Sequence, residues 1–256
     1  MIERDSRLWA PWTLFVGVFV GITGVAASVV LMQTFAAVLA GLGVELSVTT
    51  LLVVTLFLGQ YAAFGGIALL YLRLRGLDRD YVGVRSPSLR DLAVAVGGWL
   101  GALGVVITAG TLIQATGATP ANNQTAQLGA NFPSLLLVLV PASFLVIGPC
   151  EELLFRGIVQ RRFREAFPSA AAVVLGAALF AAIHFMALTG GAEARLTTIA
   201  ILFFPSLVFG AAYEYTGNVL VPAFIHGAYN ATLFALLYVA VKFAGIQPSS
   251  VVGVVV

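Results

Sequence analysis

What most constrains this chain is a succession of long uncharged apolar stretches, each about the length that crosses a bilayer, separated by short polar or basic connections. Crossing the hydrocarbon core takes about 20 mostly apolar residues of helix. With 60% apolar and 9% charged residues and a mean hydropathy of +1.02, the chain lies outside the soluble globular range. The expected fold is all-α, a polytopic transmembrane bundle of seven to eight spans forming one integral membrane domain over residues 1–256. Its main solvent is the lipid bilayer.

Span one is predicted over about residues 12–32, with Trp9 and Trp12 where amphipathic rings anchor at the headgroups. It continues past Met32 without an obvious cleavage site and so reads as a retained helix rather than a removed signal peptide. Glu45 marks the next connection, span two covers about 49–72, and a loop rich in Arg and Asp leads to span three at about 92–113. The uncharged polar stretch 114–131 reads as an exposed loop. Its triplet Asn123-Gln124-Thr125 has the form of a glycosylation acceptor, a pattern common by chance. Span four starts near Phe132, is expected to bend at Pro141 or Pro149, and continues into the cluster Arg161, Arg162, Arg164. Spans five, six and seven follow at about 169–188, 196–213 and 219–241, and the tail 242–256 is too brief to assign an eighth span.

Orientation follows the Lys and Arg residues near span ends. Arg4 and Arg7 precede span one, five arginines from Arg73 to Arg90 follow span two, and four from Arg156 to Arg164 close span four. Only Arg195 and Lys242 fall on the other face. The N-terminus and the arginine-rich loops are therefore expected in the cytoplasm, in a cell membrane. The near-neutral net charge of +2 argues against nucleic acid as a partner. Cys150 is the single cysteine, which excludes an internal disulfide and an all-thiolate metal site.

Three polar patterns at helical spacing interrupt the apolar spans: Glu151-Glu152 with Arg156, Phe180 with His184, and His226 with Asn230. An ionisable residue in a lipid-embedded helix costs about 2.5 to 3.5 kcal/mol, so such residues face a polar interior and pair there. Glu152 and Arg156, four apart, share a helix face and are expected to form an ion pair. Glu151 is turned about 100° away and has no cation one turn along, which leaves it as the free carboxylate and a candidate general base. His184 and His226 are the only histidines, both within predicted spans. An imidazole near Glu151 would help polarise a water. His226 and Asn230, one turn apart, can aim two N–H donors at one point, an arrangement suited to an oxyanion hole. Depth agrees for two patterns: Glu151 is about 15 Å inward of Arg161, and Asn230 about 18 Å inward of Asn218. His184 is about 24 Å from Pro168, so span five is expected to tilt, start late or bend.

These patterns resemble the motifs EExxxR, FxxxH and HxxxN of the CAAX protease and bacteriocin-processing family, the type II CAAX prenyl endopeptidase or Abi family of intramembrane proteases. They stand in the family's order as residues 151–156, 180–184 and 226–230, and the resemblance covers about 133–240. It implies a glutamate-dependent, metal-independent endopeptidase without cofactor, acting on a membrane-associated peptide or protein, with its cavity open toward the cytoplasm. It also implies Glu151 as general base, His184 as its partner on the water, His226 and Asn230 as the oxyanion hole, and Glu152 and Arg156 in support. Two readings stand beside it. One is a zinc hydrolase with Glu151, His184 and His226 as ligands, against which the missing HExxH pattern counts. The other is a non-enzymatic binding or immunity protein that keeps the polar cluster for folding.

Overall fold

A computed structural model describes residues 7–244. Arg4 and the tail beyond Ala244, with the question of an eighth span, lie outside the described residues. Seven helices are long and apolar enough to cross a membrane: Trp9–Leu42, Val48–Leu74, Leu89–Ala115, Ser134–Arg164, Ser169–Ala187, Ala192–Thr216 and Leu220–Phe243. They correspond in order to spans one to seven, and most run past the predicted ends. Span one, at 34 residues, is about 51 Å long and exceeds the hydrocarbon core. Local signals set several ends. Gly43 and Gly217 take left-handed backbone that closes spans one and six. The Ser47 hydroxyl accepts from the Thr50 amide to start span two, and Ser88 with Asp91 forms a reciprocal capping box that starts span three.

Span four stays continuous through both prolines, and the ladder adjusts around them. Its hydrogen-bond register widens to π-helical over Ser143–Ile147 and Leu153–Gln160. Pro149 cannot donate to the Leu145 carbonyl four residues earlier, and the Tyr61 hydroxyl of span two donates to that carbonyl at 2.6 Å. A neighbouring helix thus satisfies the acceptor that the proline frees.

The stretch 114–131 departs from the expectation of an exposed loop. Asn122–Asn123 pairs antiparallel with Leu188–Thr189 just after span five, and Gln124–Asn131 forms a helix that buries Ala126, Gly129 and Ala130. Asn123 caps this helix, its Oδ1 accepting from the Thr125 and Ala126 amides. Polar composition hid the fact that small residues at helical spacing face the bundle.

The core falls into two apolar clusters. One joins spans three, six and seven with the first half of span four, including Leu135, Leu139 and Ile147. The other joins spans one, two and five with its second half, including Leu154, Phe155, Ile158 and Phe163. Span four passes from one cluster to the other at Cys150 to Glu152, and the polar motifs lie at that junction. Spans four and seven meet there almost backbone to backbone. A Cβ on Gly148 would lie 2.6 Å from the Ala223 carbonyl oxygen, and one on Gly227 would lie 2.9 Å from that of Ser143. This approach brings His226 against the two glutamates. Gly98 packs under Ile225, whereas Gly97 and Gly101 have open space at their Cβ positions.

Candidate active site

Glu151, Glu152, Arg156 and His226 are all buried. The Arg156 Nη1 donates to Glu152 Oε1 at 3.1 Å, and His226 Nδ1 donates to the same oxygen at 2.8 Å. His226 Nε2 lies 4.0 Å from Glu151 Oε2. The imidazole therefore spans two adjacent carboxylates. Because a carboxylate only accepts, the bond to Glu152 fixes the proton on Nδ1. Phe209 stacks on the ring at 4.9 Å and Phe180 meets it edge-on at 5.6 Å, which fixes the orientation of its plane.

Glu151 also has a partner that the motifs do not contain. Gln60 of span two donates from Nε2 to Glu151 Oε1 at 2.8 Å. Sequence reasoning passed over Gln60, although a lone amide in an apolar span is itself a signal.

His184 begins the short 3₁₀ turn His184–Ala187 that ends span five. Its Nδ1 donates to the Phe180 carbonyl at 2.7 Å, which leaves Nε2 as the free ring nitrogen. Phe180 links the patterns: its ring lies 4.8 Å from His184, and the Arg156 guanidinium sits 4.5 Å above it. The motif phenylalanine is packing, and that packing sets the spacing of both imidazoles and the arginine.

Glu151, His184, His226 and Asn230 line one cavity of about 370 Å³, together with Gln60, Phe180, Phe209 and Tyr229. Glu152 and Arg156 stand behind the wall. Beyond them spans four and six are laced at intervals of four residues. Arg156 Nη2 donates to the Ser206 hydroxyl at 2.7 Å and to its carbonyl at 3.1 Å, and Gln160 Nε2 donates to the Gly210 carbonyl at 3.0 Å and to Glu214 at 3.1 Å. Arg164 pairs with Glu214 at 3.1 Å. Equal spacing on both helices, one turn per rung, lets this polar ladder close inside an apolar bundle.

Among the described residues no group of three or more His, Cys, Asp or Glu side chains is arranged to hold a metal ion. Nδ1 of each histidine is bound to oxygen, so Nε2 is the nitrogen left to face the cavity.

A comparison with family models matches residues 133–232 to the type II CAAX prenyl endopeptidase Rce1-like family. Searches of curated proteins and of solved structures found no match. The matched segment carries spans four to six, most of span seven's buried face, and all three polar patterns, while spans one to three lie outside it. In these residues the chain is similar to the type II CAAX prenyl endopeptidase Rce1-like family, a family of proteases, and its seven apolar helices make it an integral membrane protein.

Proposed function

We propose that the chain hydrolyses an internal peptide bond of a membrane-associated substrate with a water activated by Glu151. The observation that carries this reading is the placement of the Glu151 carboxylate, both imidazoles and the Asn230 amide on the wall of a single cavity. Glu151 is held from one side by Gln60 and takes a proton as the water oxygen attacks the carbonyl carbon. His184 accepts the second water hydrogen at Nε2 and so aims the oxygen lone pair. Charge then develops on the carbonyl oxygen, where the Asn230 side-chain amide donates. His226 stands beside it as the second group at that oxygen, its Nε2 facing the cavity while Glu152 holds Nδ1. The C–N bond breaks as the proton held by Glu151 passes to the departing nitrogen, giving a carboxylic acid and an amine, and the acid's remaining water proton then passes to the amine as the products ionise.

Glu152 and Arg156 act through His226. Their ion pair keeps an oxygen acceptor at Nδ1 and so selects the ring nitrogen that faces the cavity. No metal takes part in this scheme. The direct test is a cleavage assay in detergent or liposomes on a panel of prenylated and unprenylated membrane peptides, comparing wild type with Glu151→Ala. Retained turnover in the variant rejects Glu151 as the base.

A further inference from the structure

Helix alternation assigns each end of every span to one of two faces. The arginine-rich connections lie at the start of span one, between spans two and three, and between spans four and five. The polar helix Gln124–Asn131, the paired strands Asn122–Asn123 and Leu188–Thr189, and the turn His184–Ala187 lie at the opposite face. The cavity is lined by Asn123, Gln124, Thr125, Met186 and Ala187 from that arginine-poor face and by mid-span residues. None of its lining residues comes from the arginine-rich connections.

On the arginine side the cavity is sealed. Phe155, Arg156 and Gln160 are buried, and the rungs to Ser206, Gly210 and Glu214 fill the space between spans four and six. A separate polar pocket of about 400 Å³ lies beyond, around Arg161, Arg164 and Tyr213, and shares no lining residue with the first.

We propose that the reaction cavity takes its substrate from the arginine-poor face, which the charge asymmetry makes the extracytoplasmic one. This rests on the proteolytic reading above and reverses the expected cytoplasmic opening, because arginine loops and cavity mouth occupy opposite ends of the bundle. The lining also limits what enters. It holds no Lys or Arg, and its one carboxylate is Glu151, so a free C-terminal carboxylate would meet like charge and no Lys or Arg to pair with. Apolar walls from Val25, Val29, Leu56 and Phe234 with neutral amides at the mouth suit an uncharged extended stretch of a membrane-anchored polypeptide.

The test reads access and needs no turnover. Ser28→Cys, on the cavity wall, and Gln124→Cys, at its rim, are expressed as full chains beside Ser86→Cys in an arginine-rich connection, with wild type giving the background of buried Cys150. A charged, membrane-impermeant methanethiosulfonate is applied to intact cells and to inside-out vesicles. Labelling at positions 28 and 124 in intact cells, with position 86 labelled only in inside-out vesicles, is the expected result. Labelling at 28 and 124 from the same side as 86, from the cytoplasmic side, or from neither side overturns the proposal. Should Ser28→Cys fail to accumulate, Gln124→Cys reads the same asymmetry by itself. Glu151→Ala in the Ser28→Cys background keeps the asymmetry, so a failed cleavage assay and a failed access assay remain separate results. In detergent, an apolar model peptide with an amidated C-terminus is cut at least as fast as its free-acid form, and preference for the free acid overturns the uncharged-segment assignment.

Discussion

Gln60 and Glu151, 91 residues apart in sequence, are joined by a 2.8 Å hydrogen bond between span two and span four. The next residue, Tyr61, donates to the Leu145 carbonyl released by Pro149, so two consecutive side chains clamp the motif helix one and a half turns apart. Span two lies outside the matched family segment, yet it sets the direction of the proposed base. Gln60→Leu removes the donor while keeping the bulk. A hydrogen bond to a charged group contributes about 1.5 to 3 kcal/mol, so kcat is expected to fall by about tenfold to a hundredfold with KM nearly unchanged. Steady-state kinetics on a cleaved peptide measure the split. A rise in KM alone would place Gln60 in substrate binding instead.

Tyr61→Phe separates architecture from chemistry. It leaves the Leu145 carbonyl without the bond it has now, at a cost of about 1 kcal/mol for a polar contact inside a membrane bundle. A modest fall in the thermal midpoint in detergent is expected, with kcat for the remaining folded protein kept near wild type. Unchanged stability would show that the π-helical register absorbs the proline unaided.

Much of this was legible in sequence because lipid imposes a simple rule. Apolar runs of bilayer length specified seven to eight spans, of which seven stand among the described residues, and the same rule marked Glu151, Glu152, Arg156, His184, His226 and Asn230 as residues needing polar company. The Glu152 and Arg156 pair follows from helical spacing alone. What the sequence hid depended on tertiary placement. Gln60 sits in a segment without a motif, and its partner is fixed only when spans two and four pack. The helix at Gln124–Asn131 was masked by polar composition, since its buried face is Ala and Gly. His184 stands at the end of span five, in the short turn His184–Ala187, and still lines the same cavity as Glu151 and Asn230.

The close approach at Gly148 and Gly227 makes a steric prediction. Gly227→Ala places a Cβ 2.9 Å from the Ser143 carbonyl oxygen and 3.0 Å from Phe144 Cα, contacts with backbone that cannot rotate away. Overpacking of this kind costs about 1 to 3 kcal/mol, and here the separation of spans four and seven also carries His226 away from Glu152. The variant is expected to lose both thermal stability and turnover, whereas Gly101→Ala, with open space at its Cβ, changes neither. A Gly227→Ala protein with wild-type melting would mean that the two helices are not held this close.

In the proposed mechanism Asn230 and Glu152 act through different routes, and a pair of variants separates them. Asn230 lines the cavity one turn beyond His226, and no hydrogen bond ties its side chain down among the described residues. Asn230→Ala removes a donor needed only when charge builds on the carbonyl oxygen, so kcat should fall about a hundredfold to a thousandfold while melting stays at the wild-type value. Glu152→Gln breaks the charge balance with buried Arg156 and weakens the bond that fixes the His226 tautomer. It should lower both kcat and the thermal midpoint, because a buried cation left without its carboxylate is strongly destabilising. Adding Arg156→Met to Glu152→Gln removes the orphaned charge and should restore part of the stability, but not the activity, since His226 still lacks its anchoring carboxylate. If the double variant regained turnover along with melting, the ion pair would serve the fold alone and His226 would hold its position without it.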